Sequence, residues 1–327
     1  MSYQARTDLA LEAREMFMEA SRLEGDIDGV KVSEDTPCDG VKTTRVYINS
    51  QKGAAALRKP IGNYITVDIP ETIYDSQTIY EDVCKVIAKE LSDLIPQYKD
   101  GTVLVVGLGN RNVTPDALGP AVIDSLLITR HLIEYVPEEI DSRLRPLCAI
   151  APGVLGITGI ETAEIIKGVT EKVSPSLIIV IDALCSRKMS RINSTIQMSN
   201  TGITPGAGIG NSRSAINKET LGVPVIAIGV PTVVDAATIA GDSINFVIDD
   251  LRENAQTNKP LYKMLTSIEE EDKYPLIKQA LNGNIGDFIV TPKEIDRAIE
   301  DISSIIANGI NIAVHEGITL SDIDKYK

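Results

Sequence analysis

Two uninterrupted apolar runs stand out from the mixed pattern of the rest of the chain. Val103–Val106 is followed by glycines, and Leu177–Asp182, with the sequence LIIVID, ends on an acid. Apolar runs of this length, bounded by turn residues, are typical of strands that are buried on both faces of a parallel sheet. The two runs therefore predict neighbouring interior strands.

Strand and helix patterns alternate around these two runs. Further strands are predicted at about 146–151, 192–198 and 224–229, and helices at about 120–134, 160–172 and 232–252. Alternation of this kind predicts an α/β fold, with a mostly parallel sheet sandwiched by helices.

The two ends of the chain add elements to this predicted core of about residues 100–252. An amphipathic stretch from Leu9 to Leu23 and the segment Ser76–Leu94 have helical spacing, and Val41–Ile48 and Tyr64–Ile69 read as strands joined by a Gly/Ala-rich turn. Pro292 opens a predicted helix that reaches about Ala307. We expect one domain over 9–327, in which strands and a helix at 40–95 precede the core and a lid and helix at 254–327 follow it.

Composition narrows the classes of partner. The formal net charge of −14 and the absence of tryptophan argue against binding to nucleic acid or to an anionic membrane. Four widely spaced cysteines without a C-x-x-C pair are typical of reduced thiols. No signal-peptide pattern and no apolar run of membrane-spanning length is seen, which predicts a cytoplasmic protein.

Cofactor motifs are incomplete in this sequence. The glycines at 107 and 109 suggest a dinucleotide fingerprint, but Asn112 replaces its third glycine and the expected acid downstream is missing. No glycine is followed by Lys and then Ser or Thr, which excludes a Walker A loop. The sequence also lacks paired zinc ligands. We therefore expect neither a cofactor nor a metal.

Nucleophilic hydrolysis has weak support. No G-x-S-x-G motif occurs, and His131 and His315 are the only histidines. A pair of Cys185 and His131 is an alternative, but a small buried cysteine and a solvated histidine explain these residues better.

Two aspartates remain as candidates. Asp116 lies in the loop after the first apolar run, and Asp182 ends the second. Each by itself could be a cap or turn residue. At the carboxyl ends of neighbouring strands, however, they would lie close together, and one would keep its proton near neutrality. Such a pair supplies the acid and the base that amide hydrolysis needs.

Six segments around these aspartates resemble the germination proteases of spore-forming bacteria. They are GLGNRNVTPDALGP (107–120), APGVLGITGIET (151–162), IDALCSR (181–187), TPGAGIGNSR (204–213), GVPTVVDA (229–236) and FIVTPKEID (288–296). The resemblance implies an endopeptidase that degrades small acid-soluble spore proteins in the forespore and spore core. It also implies a homotetramer with a fold similar to the hydrogenase-maturation proteases.

The resemblance also implies roles for individual residues. The catalytic pair of this unusual aspartic-type peptidase falls on Asp116 and Asp182, one as general base and the other, protonated, as the acid. The residues on the substrate side would be Gly206, Gly208, Gly210 and Arg213. A flexible connector is the alternative explanation for this glycine-rich segment.

The N-terminus matches the sequence that these proteases cut. Family members are made as precursors that remove their own N-terminal segment, and their substrates are cut after an acid that is followed by an aliphatic residue and Ala. Thr7-Asp8-Leu9-Ala10-Leu11-Glu12 fits this pattern, which predicts self-cleavage between Asp8 and Leu9 and a pro-segment of residues 1–8. The alternative is a capping box at the start of a helix.

Two other functions remain open at this point. A metal-sensing maturation peptidase would share the fold and would depend on metal. A catalytically silent binding protein would cleave nothing.

Overall fold

A mixed β-sheet is the centre of the structure, which is a computed structural model. It describes residues 7–21, 25–70, 73, 76–96, 101–136, 138, 140–207, 213–254 and 288–326. The strands are β1 (Val30–Cys38), β2 (Val41–Ile48), β3 (Gly62–Asp68), β4 (Val103–Gly107), β5 (Leu147–Ile150), β6 (Leu177–Ser186), β7 (Thr195–Ser199), β8 (Val225–Asp235) and β9 (Ile289–Val290).

Helices lie between these strands. They are α1 (Ala10–Ser21), α2 (Gln51–Leu57), α3 (Gln77–Leu94), α4 (Leu118–Asp124), α5 (Arg130–Tyr135), α6 (Leu155–Thr158), α7 (Thr162–Val173), α8 (Lys218–Leu221), α9 (Ala236–Asn254), α10 (Ile295–Val314) and α11 (Leu320–Tyr326). Within the described residues, no helix is both long enough and apolar enough to cross a membrane.

The sheet combines a parallel part with an antiparallel part. The strand order is β1-β2-β3-β7-β8-β6-β4-β5, and β9 pairs with β8. The four strands from β8 to β5 are parallel to one another, whereas β1, β2, β3 and β7 join by antiparallel pairing. The predicted α/β class is confirmed, and both apolar runs are adjacent parallel strands of this sheet.

Helices cover both faces of the sheet, as predicted. On one face, α3, α4 and α10 pack on alternate residues of the strands, including Val105, Ile179 and Ile228. On the other face, α7 packs on the parallel strands, and Val106 and Val180 are buried there. The same face carries α1 and α2 over β2 and β3, where Val46 and Tyr64 are buried. These two groups of helices cover the second face at different strands.

The N-terminal region differs from the prediction in two ways, and the first is a wrong prediction. The predicted Gly/Ala-rich turn between β2 and β3 is the helix α2, which three consecutive alanines favour and which Ser50 caps by accepting the Gly53 N–H at 3.2 Å. The edge strand β1 was not predicted. Its sequence VKVSEDTPC is mostly exposed and polar, so it lacks the apolar alternation of a buried strand.

The prediction of a single helix at 120–134 is also wrong, because the chain forms two helices there, α4 and α5. The segment between them donates its N–H groups elsewhere: Leu127 donates to Asn311 Oδ1 at 3.0 Å, and Thr129 donates to the Leu147 carbonyl at 3.1 Å. These long-range hydrogen bonds compete with helical ones and break the helix.

Other differences concern the bounds of elements. The helix α10 continues past Ala307 because Ile310 and Val314 are buried against the rest of the core. The strand β8 is longer than predicted, and α9 consequently begins later. Most of the predicted lid, residues 255–287, lies outside the described residues. The proposed division into residues 1–8 and 9–327 stays a prediction.

A buried ion pair joins the antiparallel strands to α3. Arg45 in β2 donates to Glu90 through both Nε, at 2.8 Å, and a terminal guanidinium nitrogen. The Glu90 side chain is 1% exposed, whereas that of Arg45 is 16% exposed. Removing one partner therefore leaves a buried charge without its counterion.

We predict that Arg45→Met lowers the free energy of unfolding by about 3–5 kcal/mol, because the Glu90 carboxylate stays buried without its partner. The double variant Arg45→Met, Glu90→Leu should recover most of this loss, since it removes both charges. Urea unfolding measures both. Lys52→Met is the control, because Lys52 belongs to the exposed pair with Asp28 and should change stability by less than about 1 kcal/mol. A double variant as unstable as Arg45→Met would contradict this explanation.

Candidate active site

Asp116 is held in a tight turn that follows β4. It ends a 3₁₀ turn (Thr114–Asp116), and the Asn110 N–H donates to its Oδ2 at 2.8 Å. Gly109 makes the turn possible: its φ is +112°, and a Cβ at this position would lie 2.0 Å from the Asp116 carbonyl oxygen. Gly109 therefore lets this turn pack closely.

Asp182 lies within β6 and not at its end, so the prediction that it terminates the strand is wrong. Residues Ala183–Ser186 continue the pairing with β8. The partner of Asp182 in β8 is Gly229, and the side chain of Leu184 packs over this glycine: a Cβ on Gly229 would lie 2.5 Å from Leu184 Cδ1. Asp182 is 7% exposed, and its Oδ1 accepts the Ala183 N–H at 2.9 Å.

Both aspartates line one cleft of about 550 Å³. Burial raises the pKa of Asp182 well above its usual range, and the negative charges of Asp116 and Asp8 raise it further. Burial also raises the pKa of Asp116, although the N–H of Asn110 opposes this by stabilising the carboxylate. The structure thus brings together two carboxyl groups, of which Asp182 is the one more strongly held in the protonated form.

The N-terminal segment enters the same cleft. Asp8 lines it, with Oδ2 accepting the Cys185 N–H at 2.9 Å and its own N–H donating to the Cys185 carbonyl at 3.0 Å. Leu9 is fully buried, and its N–H donates to Thr7 Oγ1 at 3.0 Å. The Thr7 hydroxyl also donates to Glu12. Thr7 therefore makes a local turn ahead of α1, and Asp8 lies in the same cleft as the two aspartates.

The predicted substrate-side residues are described only in part. Gly206 and Arg213 both line the cleft, and Arg213 lies 3.5 Å from Glu161 across it. Gly208 and Gly210 lie outside the described residues.

The alternative thiol nucleophile has an unfavourable environment. Cys185 is buried, and burial together with the nearby Asp8 raises the pKa of its thiol to about 12, so it stays protonated near neutrality. His131 is exposed on α5. In the described part of the chain, no three His, Cys, Asp or Glu side chains are grouped as ligands for a metal ion.

Two polar side chains at this site were not predicted. Lys59 and Gln197 both donate to the carbonyl oxygen of Asp8, at 2.8 Å and 3.2 Å. Gln197 could have been noticed in the sequence, because it interrupts the otherwise apolar centre of β7. Lys59 carried no such signal, since a lysine after a short helix is ordinarily solvated.

Comparisons with known proteins identify relatives over nearly the whole chain. The family model described as germination protease matches residues 10–266 and 249–327. A germination protease from Clostridium perfringens is 53% identical over 324 residues, covering 99% of both chains. One from Bacillus cereus is 41% identical over 358 aligned positions, covering 99% of this chain and 97% of the relative.

One solved structure gives a weaker match. A [NiFe] hydrogenase maturation protease, HycI, from Thermococcus kodakarensis covers 44% of this chain and 80% of its own, at 19% identity and a TM-score of 0.29. A similarity at this level carries no argument about function.

The buried carboxyl group of Asp182 gives a prediction for stability against pH. Its folded pKa lies above the value of 3.8 for an exposed aspartate, so above pH 4 the unfolded chain loses this proton while the folded protein keeps it. Stability then falls as pH rises, by up to about 1.4 kcal/mol per pH unit, until pH reaches the folded pKa. Asp182→Asn removes this pH dependence. The stability of the variant relative to wild type should therefore rise between pH 4 and pH 7.

Urea unfolding at the two pH values measures the difference. Asp28→Asn is the control, because the Asp28 side chain is 77% exposed and its substitution should have nearly the same effect at both. An Asp182→Asn effect that is equal at pH 4 and pH 7 would contradict a protonated, buried Asp182.

Proposed function

Because the chain belongs to the germination protease family and is therefore a peptidase, we propose that Asp116 and Asp182 form its catalytic pair. Its substrates on this proposal are small acid-soluble spore proteins, which it cuts in the forespore and spore core during germination. A homotetramer, as the resemblance implies, is part of the proposal. The observation that carries it is the pair formed by the buried Asp182 and the half-buried Asp116, which line one cleft and both have raised pKa values.

The two aspartates would divide the work of hydrolysis between them. Asp116, whose carboxylate is stabilised by the Asn110 N–H, acts as the general base that takes a proton from water. The water oxygen then bonds to the carbonyl carbon of the substrate. Asp182 holds the other proton, polarises the scissile carbonyl and supplies the proton that the departing nitrogen needs when the C–N bond breaks. Because the two groups are close and interact, their titration belongs to the pair.

Self-processing between Asp8 and Leu9 is the second part of the proposal. The support is that Asp8 already lies in the cleft with both aspartates and is held there by the backbone of Cys185. One of the two hydrogen bonds joins backbone groups, the Asp8 N–H and the Cys185 carbonyl, and in the other the Asp8 carboxylate accepts the Cys185 N–H. Removal of residues 1–8 would clear Asp8 from the cleft.

We expect Asp116→Asn and Asp182→Asn each to lower peptidase activity roughly a thousandfold or more, since the pair works as a unit. The assay is cleavage of a purified small acid-soluble spore protein, followed by gel and mass spectrometry. Asp28→Asn, at the surface, should keep wild-type activity, and Cys185→Ser should stay near it. Chelators should have no effect. Near-wild-type activity in either aspartate variant would disprove the pair, and loss in Cys185→Ser alone would favour a thiol nucleophile.

A second prediction concerns the N-terminus. Protein left at mildly acid pH should acquire a new N-terminus at Leu9, detected as the loss of residues 1–8 by intact-mass measurement. Asp116→Asn protein should keep its original mass, because the cut needs its own catalytic pair. Cleavage that persists in Asp116→Asn protein would indicate another protease.

A further inference from the structure

The carbonyl group of Asp8 is bound by two side chains from different parts of the fold. Lys59 Nζ donates to its oxygen at 2.8 Å, and Gln197 Nε2 donates to the same oxygen at 3.2 Å. Lys59 follows α2, whereas Gln197 lies in β7. This oxygen belongs to the peptide bond between Asp8 and Leu9. Both donors therefore bind the carbonyl group of the bond that is cut in the proposed function.

Gln197 forms hydrogen bonds with backbone groups on both sides of Leu9. Its Oε1 accepts the Ala10 N–H at 2.6 Å, while its Nε2 faces the Asp8 carbonyl. The orientation of the amide is fixed, because an N–H must face the oxygen and a carbonyl must face the NH₂ group. The planar amide group of one side chain therefore links the two backbone groups that flank Leu9.

Strand register puts Gln197 and Asp182 on the same face of the sheet. Gln197 pairs with Gly229 in β8, and Gly229 pairs with Asp182 in β6. Residues paired in this way point to the same face of the sheet. The side chain of Leu184 packs over Gly229, and Asp8 lines both the cleft of the two aspartates and the neighbouring cleft that Lys59 and Gln197 line.

Lys59 has an environment that suits an electrostatic role. Burial lowers the pKa of its ammonium group, and the charges of Asp8 and Glu12 oppose this. Lys59 is half-buried, and a cation that is partly removed from water acts on a neighbouring oxygen more strongly than one in bulk solvent. Its hydrogen bond to a carbonyl oxygen strengthens as negative charge develops there.

We propose that in self-cleavage Lys59 and Gln197, in place of Asp182, bind the scissile carbonyl and stabilise the oxyanion that forms on it, while Asp182 supplies the proton. This inference rests on the proposed function. As water attacks, Asp116 takes one of its protons and the oxygen bonds to the Asp8 carbonyl carbon. The C=O electron pair moves to the oxygen held by the two donors. It returns as the C–N bond breaks, and the proton of Asp182 goes to the Leu9 nitrogen. The products are a carboxylate at Asp8 and an amine at Leu9.

The test is the first-order rate at which Leu9 becomes the N-terminus, followed by intact mass, in full-length protein. We expect Lys59→Met and Gln197→Glu each to slow this rate by about 100-fold or more, the usual effect of losing one oxyanion donor. Lys59→Arg retains a cationic donor and should restore at least part of the rate. The matched controls are Lys52→Met and Gln51→Glu, which change exposed residues of α2 and should cleave as wild type does.

A second measurement separates carbonyl binding from simple docking of the segment. Hydrogen exchange at the Ala10 amide reports whether the segment stays in place, because Gln197→Glu keeps an acceptor for this N–H. Slow cleavage with a protected Ala10 amide in Gln197→Glu protein supports the proposal. Slow cleavage with a fully exchanging amide would overturn it, since the residue would then only hold the segment. If Lys59→Met does not fold, Gln197→Glu decides the question.

Failure of this inference can be distinguished from failure of the proposed function. Wild-type rates in both Lys59→Met and Gln197→Glu protein, with no cleavage in Asp116→Asn protein, would overturn the carbonyl-binding role and leave the aspartate pair intact. Cleavage in Asp116→Asn protein at the wild-type rate would overturn the proposed function, and the carbonyl-binding role with it.

Discussion

A carboxyl group inside a sheet loses the hydration that would stabilise its charge, and Asp182 undergoes this loss next to Asp116 and Asp8. The free-energy cost of ionising Asp182 makes the site chemically distinct. Because of this cost, Asp182 keeps a proton under conditions in which an isolated aspartate would have released one. Many other features serve to keep this arrangement in place. Gly229, the partner of Asp182 in β8, makes room for the side chain of Leu184, and Gly109 lets the Asp116 turn fold closely.

The mixed sheet explains why the cleft lies where it does. The parallel strands β4 and β6 supply the two aspartates, as open α/β sheets commonly supply their chemistry. The antiparallel strands β3 and β7 extend the same sheet beyond β8 and bring Gln197 to a neighbouring cleft that Asp8 also lines. On one face of the sheet, α1 and α2 pack over these added strands and α7 packs over the parallel ones. The aspartates lie on this same face.

The N-terminal segment is linked to the site through charge as well as through contact. Asp8 adds a negative charge close to Asp182 and thereby raises the pKa of that group, while Glu12 accepts hydrogen bonds from the N–H groups of Arg187 and Lys188. Departure of Asp8 would remove this charge and lower the pKa of Asp182 toward the value that it has beside Asp116 alone. The covalent state of the N-terminus and the protonation of the catalytic pair are thus coupled in our proposal.

The sequence by itself determined the α/β class, the two central strands and the two candidate aspartates, because continuous apolar runs and their flanking turn residues are local signals. It also showed Asp8 and Leu9 as a candidate cut, through a short motif. Only the tertiary structure decided that Asp182 lies inside its strand, that the predicted helix at 120–134 is broken, and that Lys59 and Gln197 meet at the Asp8 carbonyl. Each of these depends on partners far away in the chain, and a hydrogen bond between distant residues leaves no periodic pattern in a sequence.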